Sequence, residues 1–178
     1  FRSSCRTGLM ANGAARRVSE RRAEHLLNDL LESQGWDLRR PPQGDVLVQH
    51  EYRNYPELSE ALAKASKKGT GPGIPEAILL DRAADLPLAV IEVKENIADI
   101  DLAVSEAQGY GDALWDAGSR PLAIALAGTS EDEFSLRVSK RVGKSWKPIT
   151  YDKYPISWIP TRADLDLIAV PSGPTEIR

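Results

Sequence analysis

The apolar run from Leu86 to Val93 constrains the fold more than any other stretch of this chain. Its residues alternate onto two faces and both are hydrophobic, with Leu88 and Val90 on one and Ala89, Ile91 and Val93 on the other. A strand that is apolar on both sides must be covered on both sides, so it belongs in the middle of a sheet. The run ends on Glu92, Val93 and Lys94. A carboxylate and an ammonium therefore sit at the tip of a central strand, where charges require partners.

Upstream, Glu76 to Asp81 reads as a second short strand, separated from the first by the polar break Arg82 to Asp85. An antiparallel hairpin is the economical connection. If Asp81 lies opposite Pro87, counting back along both strands sets Glu76 opposite Glu92, and paired residues share one face of a sheet. Lys94, two residues beyond Glu92, projects from that face too. Two facing carboxylates repel unless a cation lies between them. A hard divalent ion such as Mg²⁺ needs only one or two carboxylates, with waters and phosphate oxygens completing its shell. Such an ion polarises a phosphate and generates a nucleophilic hydroxide. Lys94 would orient that water or stabilise charge developing on phosphorus. The competing reading takes Glu92 and Lys94 as the solvated end of a strand and Glu76 as a turn residue. Apolar residues on both faces of the preceding strand favour the first.

The segment Gly73-Ile74-Pro75-Glu76 with the three apolar residues that follow Ala77, and then Leu86 to Glu92-Val93-Lys94, resembles the signature of the PD-(D/E)xK nuclease superfamily. Within it the chain is most similar to the N-terminal nuclease domain of the restriction (R) subunits of type I restriction-modification enzymes. A helix ending in Glu32-Ser33-Gln34-Gly35-Trp36, and a Gln-containing helix after the Glu92 strand, also look like that family, and the likeness spans roughly residues 19 to 128. The resemblance implies an α/β fold with a central mixed β-sheet flanked by helices. It also implies a DNA endonuclease that uses Mg²⁺, with Mn²⁺ able to substitute. Glu76 takes the family's first acid and Glu92 the second, both as metal ligands, and Lys94 takes the lysine. Gln108 takes the next motif, a Gln followed four residues later by Tyr. ATP would be used only by other domains of a full-length protein. The implied partners are DNA, helicase-like motor domains, and methylation and specificity subunits. A catalytically decayed version of the fold, kept for DNA binding or docking, is the alternative.

The chain departs from that pattern in two places. Glu76 stands where the family usually has Asp, one methylene longer. In Glu106-Ala107-Gln108-Gly109-Tyr110-Gly111-Asp112 the tyrosine follows Gln108 by two positions, and residues two apart do not share a helix face. Gly109 and Gly111 each weaken a helix by about 1 kcal/mol and so allow a distortion that would bring the two together. Tyr110 is therefore an accessory candidate or a core aromatic beneath the sheet. Glu24, on the first helix, is a further accessory acid or a solvated helix-face charge.

Composition fits one modest domain: 178 residues, 42% hydrophobic, net charge −3. No stretch reaches the 18 or so apolar residues of a membrane span, and the single Cys5 excludes an internal disulfide. A cytoplasmic, bacterial setting is expected, without membrane contact. The net negative charge is unfavourable for nucleic acid, which is held by Lys and Arg, so distribution matters. Arg16, Arg17, Arg21 and Arg22 cluster on the first helix, Lys64, Lys67 and Lys68 end a second, and Arg137, Lys140, Arg141, Lys144 and Lys147 line a hairpin. Each group would flank a DNA path or serve as a soluble face; Lys64, Lys67 and Lys68 are the DNA-binding candidates.

Residues 1–15 lack periodicity and are set aside as a leader, with Met10 a candidate start; 16–160 form the nuclease domain and 161–178 a tail or linker. Helices are expected from Ser19 to Gln34, from Pro56 to Lys68, and from Asp99 or Asp101 to Trp115. Further strands are expected at Asp45 to Gln49, Arg120 to Ala127, and in a hairpin turning at Gly143-Lys144. A strand, helix, strand order after the first hairpin implies a crossover and a mixed sheet. No nucleotide-binding loop is assigned, because Val138 stands where the first glycine before Gly143-Lys144-Ser145 should be.

Overall fold

The structure, a computed structural model, describes residues 7–65, 73–168 and 174–177. A long helix α1 (Thr7–Ser33) leads to β1 (Val46–Val48), a 3-10 segment (Gln49–Asn54) and α2 (Pro56–Ala63). The hairpin β2 (Ala77–Asp81) and β3 (Leu86–Lys94) follows, then α3 (Ile100–Asp116), β4 (Leu122–Ser130), β5 (Glu133–Val142) and β6 (Ser145–Pro148). These six strands form one sheet in sequence order. Neighbours are antiparallel except β3 and β4, which run parallel on either side of the α3 connection. The mixed α/β sheet expected from the sequence is thus observed, with β3 internal.

Both faces of β3 are covered, as its pattern requires. Ala89 and Ile91 pack with Leu26, Leu27 and Leu31 of α1, and Ile124 and Leu126 of β4 join them. On the other face Val90 and Ile78 meet Leu58 and Leu62 of α2 and Tyr110 and Leu114 of α3. Each fully buried Leu or Ile stabilises the fold by roughly 1.5–3 kcal/mol. Burial on two sides thereby fixes the facing of the strand.

The hairpin register differs from the sequence expectation at its turn and agrees with it at its far end. Asp81 lies opposite Leu86 and Leu80 opposite Pro87, not Asp81 opposite Pro87. Leu88 is then an extra residue, since Leu79 pairs with Ala89, Ile78 with Val90 and Ala77 with Ile91. Pro87 has no amide hydrogen to donate, which makes this part of the ladder the natural place for a bulge. The bulge also turns Leu88 toward the α1 side, away from the Val90 face to which alternation assigned it.

Other boundaries move for identifiable reasons. α1 begins at Thr7, so the division drawn at residue 15 falls inside a helix. Gly35, at φ +84°, ends it as expected. α2 stops at Ala63, with Lys64 as its C-cap, and Lys67 and Lys68 lie outside the described residues. Asp99 precedes α3 without capping it through its side chain; Asn96 instead accepts from the Ala98 amide at 3.0 Å. α3 is continuous through Gly109 and Gly111. Gly111 serves close approach, because a Cβ there would lie 2.5 Å from the Trp146 ring.

Residues 149–168 and 174–177, which include part of the stretch read as a tail or linker, pack on the domain. A small sheet joins β7 (Thr150–Tyr151), β8 (Tyr154–Pro155) and β9 (Glu176–Ile177). The helix α4 (Arg162–Ile168) buries Leu165 and Ile168 completely in the α1-side core. Asp45, 4% exposed, fastens it by accepting from Arg162 Nη2 (3.1 Å), Arg82 Nε (2.7 Å) and the Asp37 amide (2.9 Å). Trp36 Nε1 donates to the Pro160 carbonyl at 2.9 Å. Asp45→Asn removes the charge from a buried acceptor but leaves both half-exposed arginines free to hydrate. It is expected to lower stability by about 1–3 kcal/mol in urea unfolding. A change below about 0.5 kcal/mol would show that apolar contacts alone hold the C-terminal segment.

Candidate functional site

The hairpin register brings chemically active side chains to one end of the sheet. Ala77 lies opposite Ile91, so the next residues, backward along β2 and forward along β3, are Glu76 and Glu92. The Glu76 amide still donates to the Ile91 carbonyl at 3.0 Å. Beside them β1 ends, and the Gln49 amide donates to the Glu76 carbonyl at 3.0 Å. α1 crosses this end, and the Ser19 hydroxyl hydrogen-bonds the Glu95 carboxylate. The result is a cavity of about 280 Å³ lined by Glu76, Glu92, Lys94, Glu24, Gln49 and the α1 residues Arg16 and Glu20, among others.

Glu92 is only 4% exposed and Glu76 is half-buried. Gln49, with φ at +43°, occupies the left-handed region, which costs an L-residue roughly 1–2 kcal/mol. Its side-chain Nε2 donates to Glu24 Oε1 at 3.3 Å, tying the end of β1 to α1 across the cavity wall. A neighbouring cavity of about 260 Å³ shares Glu24, Gln49 and Glu76, extending the groove along α1.

Lys94 is held between two acids. Its Nζ lies 2.6 Å from Glu106 Oε2 on α3 and 3.4 Å from Glu92 Oε1. Burial pushes its pKa down, but the hydrogen bond to Glu106 and the charges of Glu92 and Glu106 outweigh that and leave it above the ordinary lysine value. Lys94 is therefore a cation throughout the neutral range. Tyr110 lies one helical turn beyond Glu106 and is 2% exposed. Burial, then the nearby charges of Glu92 and Glu106, raise its phenol well above the usual tyrosine value, so it stays neutral.

Of the residues singled out in the sequence, Glu76, Glu92, Lys94 and Glu24 line one cavity. Gln108 is placed elsewhere: it faces β5, where Nε2 donates to Ser139 Oγ at 3.2 Å, and it is not part of the cavity lining. The reason is helical periodicity, since Gln108 is two positions from both Glu106 and Tyr110, which face the sheet near Glu92. Tyr110 packs in the α2–α3 core and its hydroxyl is buried. Lys64 is exposed at the end of α2 and does not line the cavity. Glu106, Gln49, Arg16 and Glu20 were not singled out as site residues. Glu106 carried a signal, because it interrupts the stripe Ala103, Ala107, Tyr110, Leu114 on the buried side of α3. Gln49 carried none, and Arg16 only its place in the basic cluster of the first helix; the tertiary arrangement brings them here.

The donor set suits a hard cation. Glu76, Glu92 and Glu24 offer carboxylate oxygens, and among the described residues no Cys or His lines the cavity and acids outnumber bases. Among the described residues no three His, Cys, Asp or Glu side chains are grouped to hold a metal ion. The fit is therefore to an ion held by two carboxylates with open positions, and not to a closed protein cage. Comparison of the chain with models of protein families, with curated proteins and with solved structures finds no match.

Replacing Glu106 with Gln removes the largest of the influences that hold Lys94 above its ordinary pKa. Stability that depends on a raised lysine pKa is complete below the unfolded value, near 10.4, and is lost as pH rises through the folded one. The variant is expected to titrate Lys94 at lower pH in a side-chain NMR titration and to lose stability earlier on the alkaline side. An unmoved Lys94 titration would mean that Glu106 does not govern it.

Proposed function

We propose that this chain is a metal-dependent endonuclease domain that hydrolyses DNA phosphodiester bonds, of the kind carried by type I restriction R subunits. The observation that carries the reading is the convergence of Glu76 and Glu92 from adjacent strands, with Lys94, on one cavity at the end of a doubly covered strand. Glu106 and Tyr110 give support, because on α3 they have the four-residue spacing that the resemblance asks of its Gln and Tyr. A glutamate would then stand in the glutamine's place.

Glu76 and Glu92 would hold Mg²⁺, or Mn²⁺ in its place, which when bound supplies Lewis-acid polarisation of the phosphate and a more acidic water. Lys94 is kept charged and positioned by Glu106, and its ammonium donates to a phosphate oxygen or to the attacking water in the cavity. Glu24 and Gln49 close the α1 side and orient what enters. Water adds to phosphorus, one P–O ester bond breaks, and the leaving oxygen takes up a proton. Target choice would lie with specificity and methylation subunits, and ATP use with motor domains acting alongside this one in a cytoplasmic complex.

A second reading rests on the same lysine. An ammonium already 2.6 Å from one acid and close to another is also what a purely structural ion-pair centre looks like, as in a nuclease fold kept for docking. Nicking of supercoiled plasmid in Mg²⁺ and in Mn²⁺ separates the two. Catalysis predicts metal-dependent nicking that falls by about 10²-fold or more in Glu92→Gln and in Lys94→Ala, with circular dichroism unchanged. Nicking at the wild-type rate in Glu92→Gln would refute the assignment. A wild-type protein that never nicks would favour the docking module.

A further inference from the structure

The cavity that would process DNA is poorly suited to hold it. Among the described residues its lining sets Glu20, Glu24, Glu76, Glu92 and Glu95 against Arg16 and Lys94, an arrangement unfavourable to a polyanion. Affinity for DNA comes from cations that neutralise phosphates, so they must lie outside this lining. We infer that the largely exposed stretch of α1 from Gly13 to Arg22 is the surface that binds the sugar-phosphate backbone of duplex DNA, through Arg17 and Arg21 with Arg22 flanking them. The inference rests on the nuclease reading and adds to it the place where the substrate is gripped.

Three observations carry it. First, the described side chains of α1 before Ala23 are all exposed except Ser19, whereas from Ala23 onward the helix contributes to the core. This stretch of the helix stands along the rim of the cavity, fixed there by the Ser19–Glu95 contact, and Arg16 belongs to the lining. Second, Arg17 and Arg21 are four residues apart, so they share a stripe about 6 Å long on the helix, while Arg22 lies about 100° further round it. Third, these arginines are uncommitted. Among the described residues no ion pair engages Arg17, Arg21 or Arg22, while Arg16 is paired with Glu20 at 3.2 Å. Several other guanidinium groups are spent on structure, Arg82 and Arg162 on Asp45, Arg137 on Asp101 and Arg141 on Asp112, while among the described residues Arg53 is also exposed and without an ion pair. The fold thus places free guanidinium groups beside the acidic cavity, and guanidinium is the group best matched to phosphate.

The test uses the whole chain and a fluorescein-labelled duplex of about 30 base pairs, titrated without divalent metal over a range of salt concentrations. Each phosphate contact contributes about −0.9 to the slope of log K against log salt. The triple variant Arg17→Gln, Arg21→Gln, Arg22→Gln is therefore expected to have a slope shallower by about 2 to 3 and to bind about tenfold or more weakly near 100 mM salt. A variant with the same change in net charge, Lys144→Gln, Lys147→Gln, Lys153→Gln, is expected to keep the wild-type slope. Equal slopes for the α1 variant and wild type, or no binding by wild type, would overturn the inference. Plasmid nicking measured in parallel keeps the two ideas distinct. A wild type that nicks while the α1 variant keeps its slope refutes the surface and leaves the nuclease reading standing. A wild type that binds through α1 and never nicks does the reverse.

Discussion

One extra residue, Leu88, decides whether this chain has a site at all. The hairpin turn starts with Asp81 opposite Leu86, and continued without interruption that register would put Glu76 on the opposite face from Glu92. The bulge at Leu88 shifts the pairing by one, so that Ala77 meets Ile91 and the two acids end on the same side. The register beyond the bulge is held by burial on both faces, with Ile91 against α1 and Val90 against α2 and α3. Slipping β2 by one residue would turn Ile78 and Leu79 into each other's environment. Fixed packing on both faces makes that costly, and the acids inherit the precision of the core.

The charges gathered at that end set the next constraint. Glu92 is almost fully buried, and it shares the Lys94 ammonium with Glu106. Lys94 is consequently held as a cation despite the burial that works against it. Among the described residues the cavity carries more carboxylates than bases, which favours a hard cation and disfavours an unaccompanied polyanion. The proposed divalent ion between the acids and the proposed phosphate-binding arginines on α1 would be two answers to one electrostatic problem, the first inside the cavity and the second at its rim.

Much of the fold was legible because it rests on local pattern. The double-faced apolar run of β3 gave its central place, and the turn at Gly143-Lys144 gave the β5–β6 hairpin. Glu76, Glu92 and Lys94 were legible as a group because strand alternation fixes facing. The register at the turn differs from the expected one, and the bulge brings the far end of the hairpin back to it. Gln108 takes the family's place by resemblance, but helical spacing turns it toward Ser139 of β5; Glu106, four residues before Tyr110, has the facing that Gln108 lacks. Gln49 and Arg16 enter the site through a left-handed turn and a helix crossing, and nothing local encodes either. The C-terminal helix α4 read as a tail because its two buried residues, Leu165 and Ile168, are too few to show a period.

The central claim is that Glu76 and Glu92 together form a divalent-cation site, and calorimetric titration of Mn²⁺ into the intact chain tests it most directly. The account predicts one ion bound per chain by the wild type, and loss of that binding in the folded double variant Glu76→Gln, Glu92→Gln. A wild type that binds no Mn²⁺, or a double variant that binds it equally well, would contradict it.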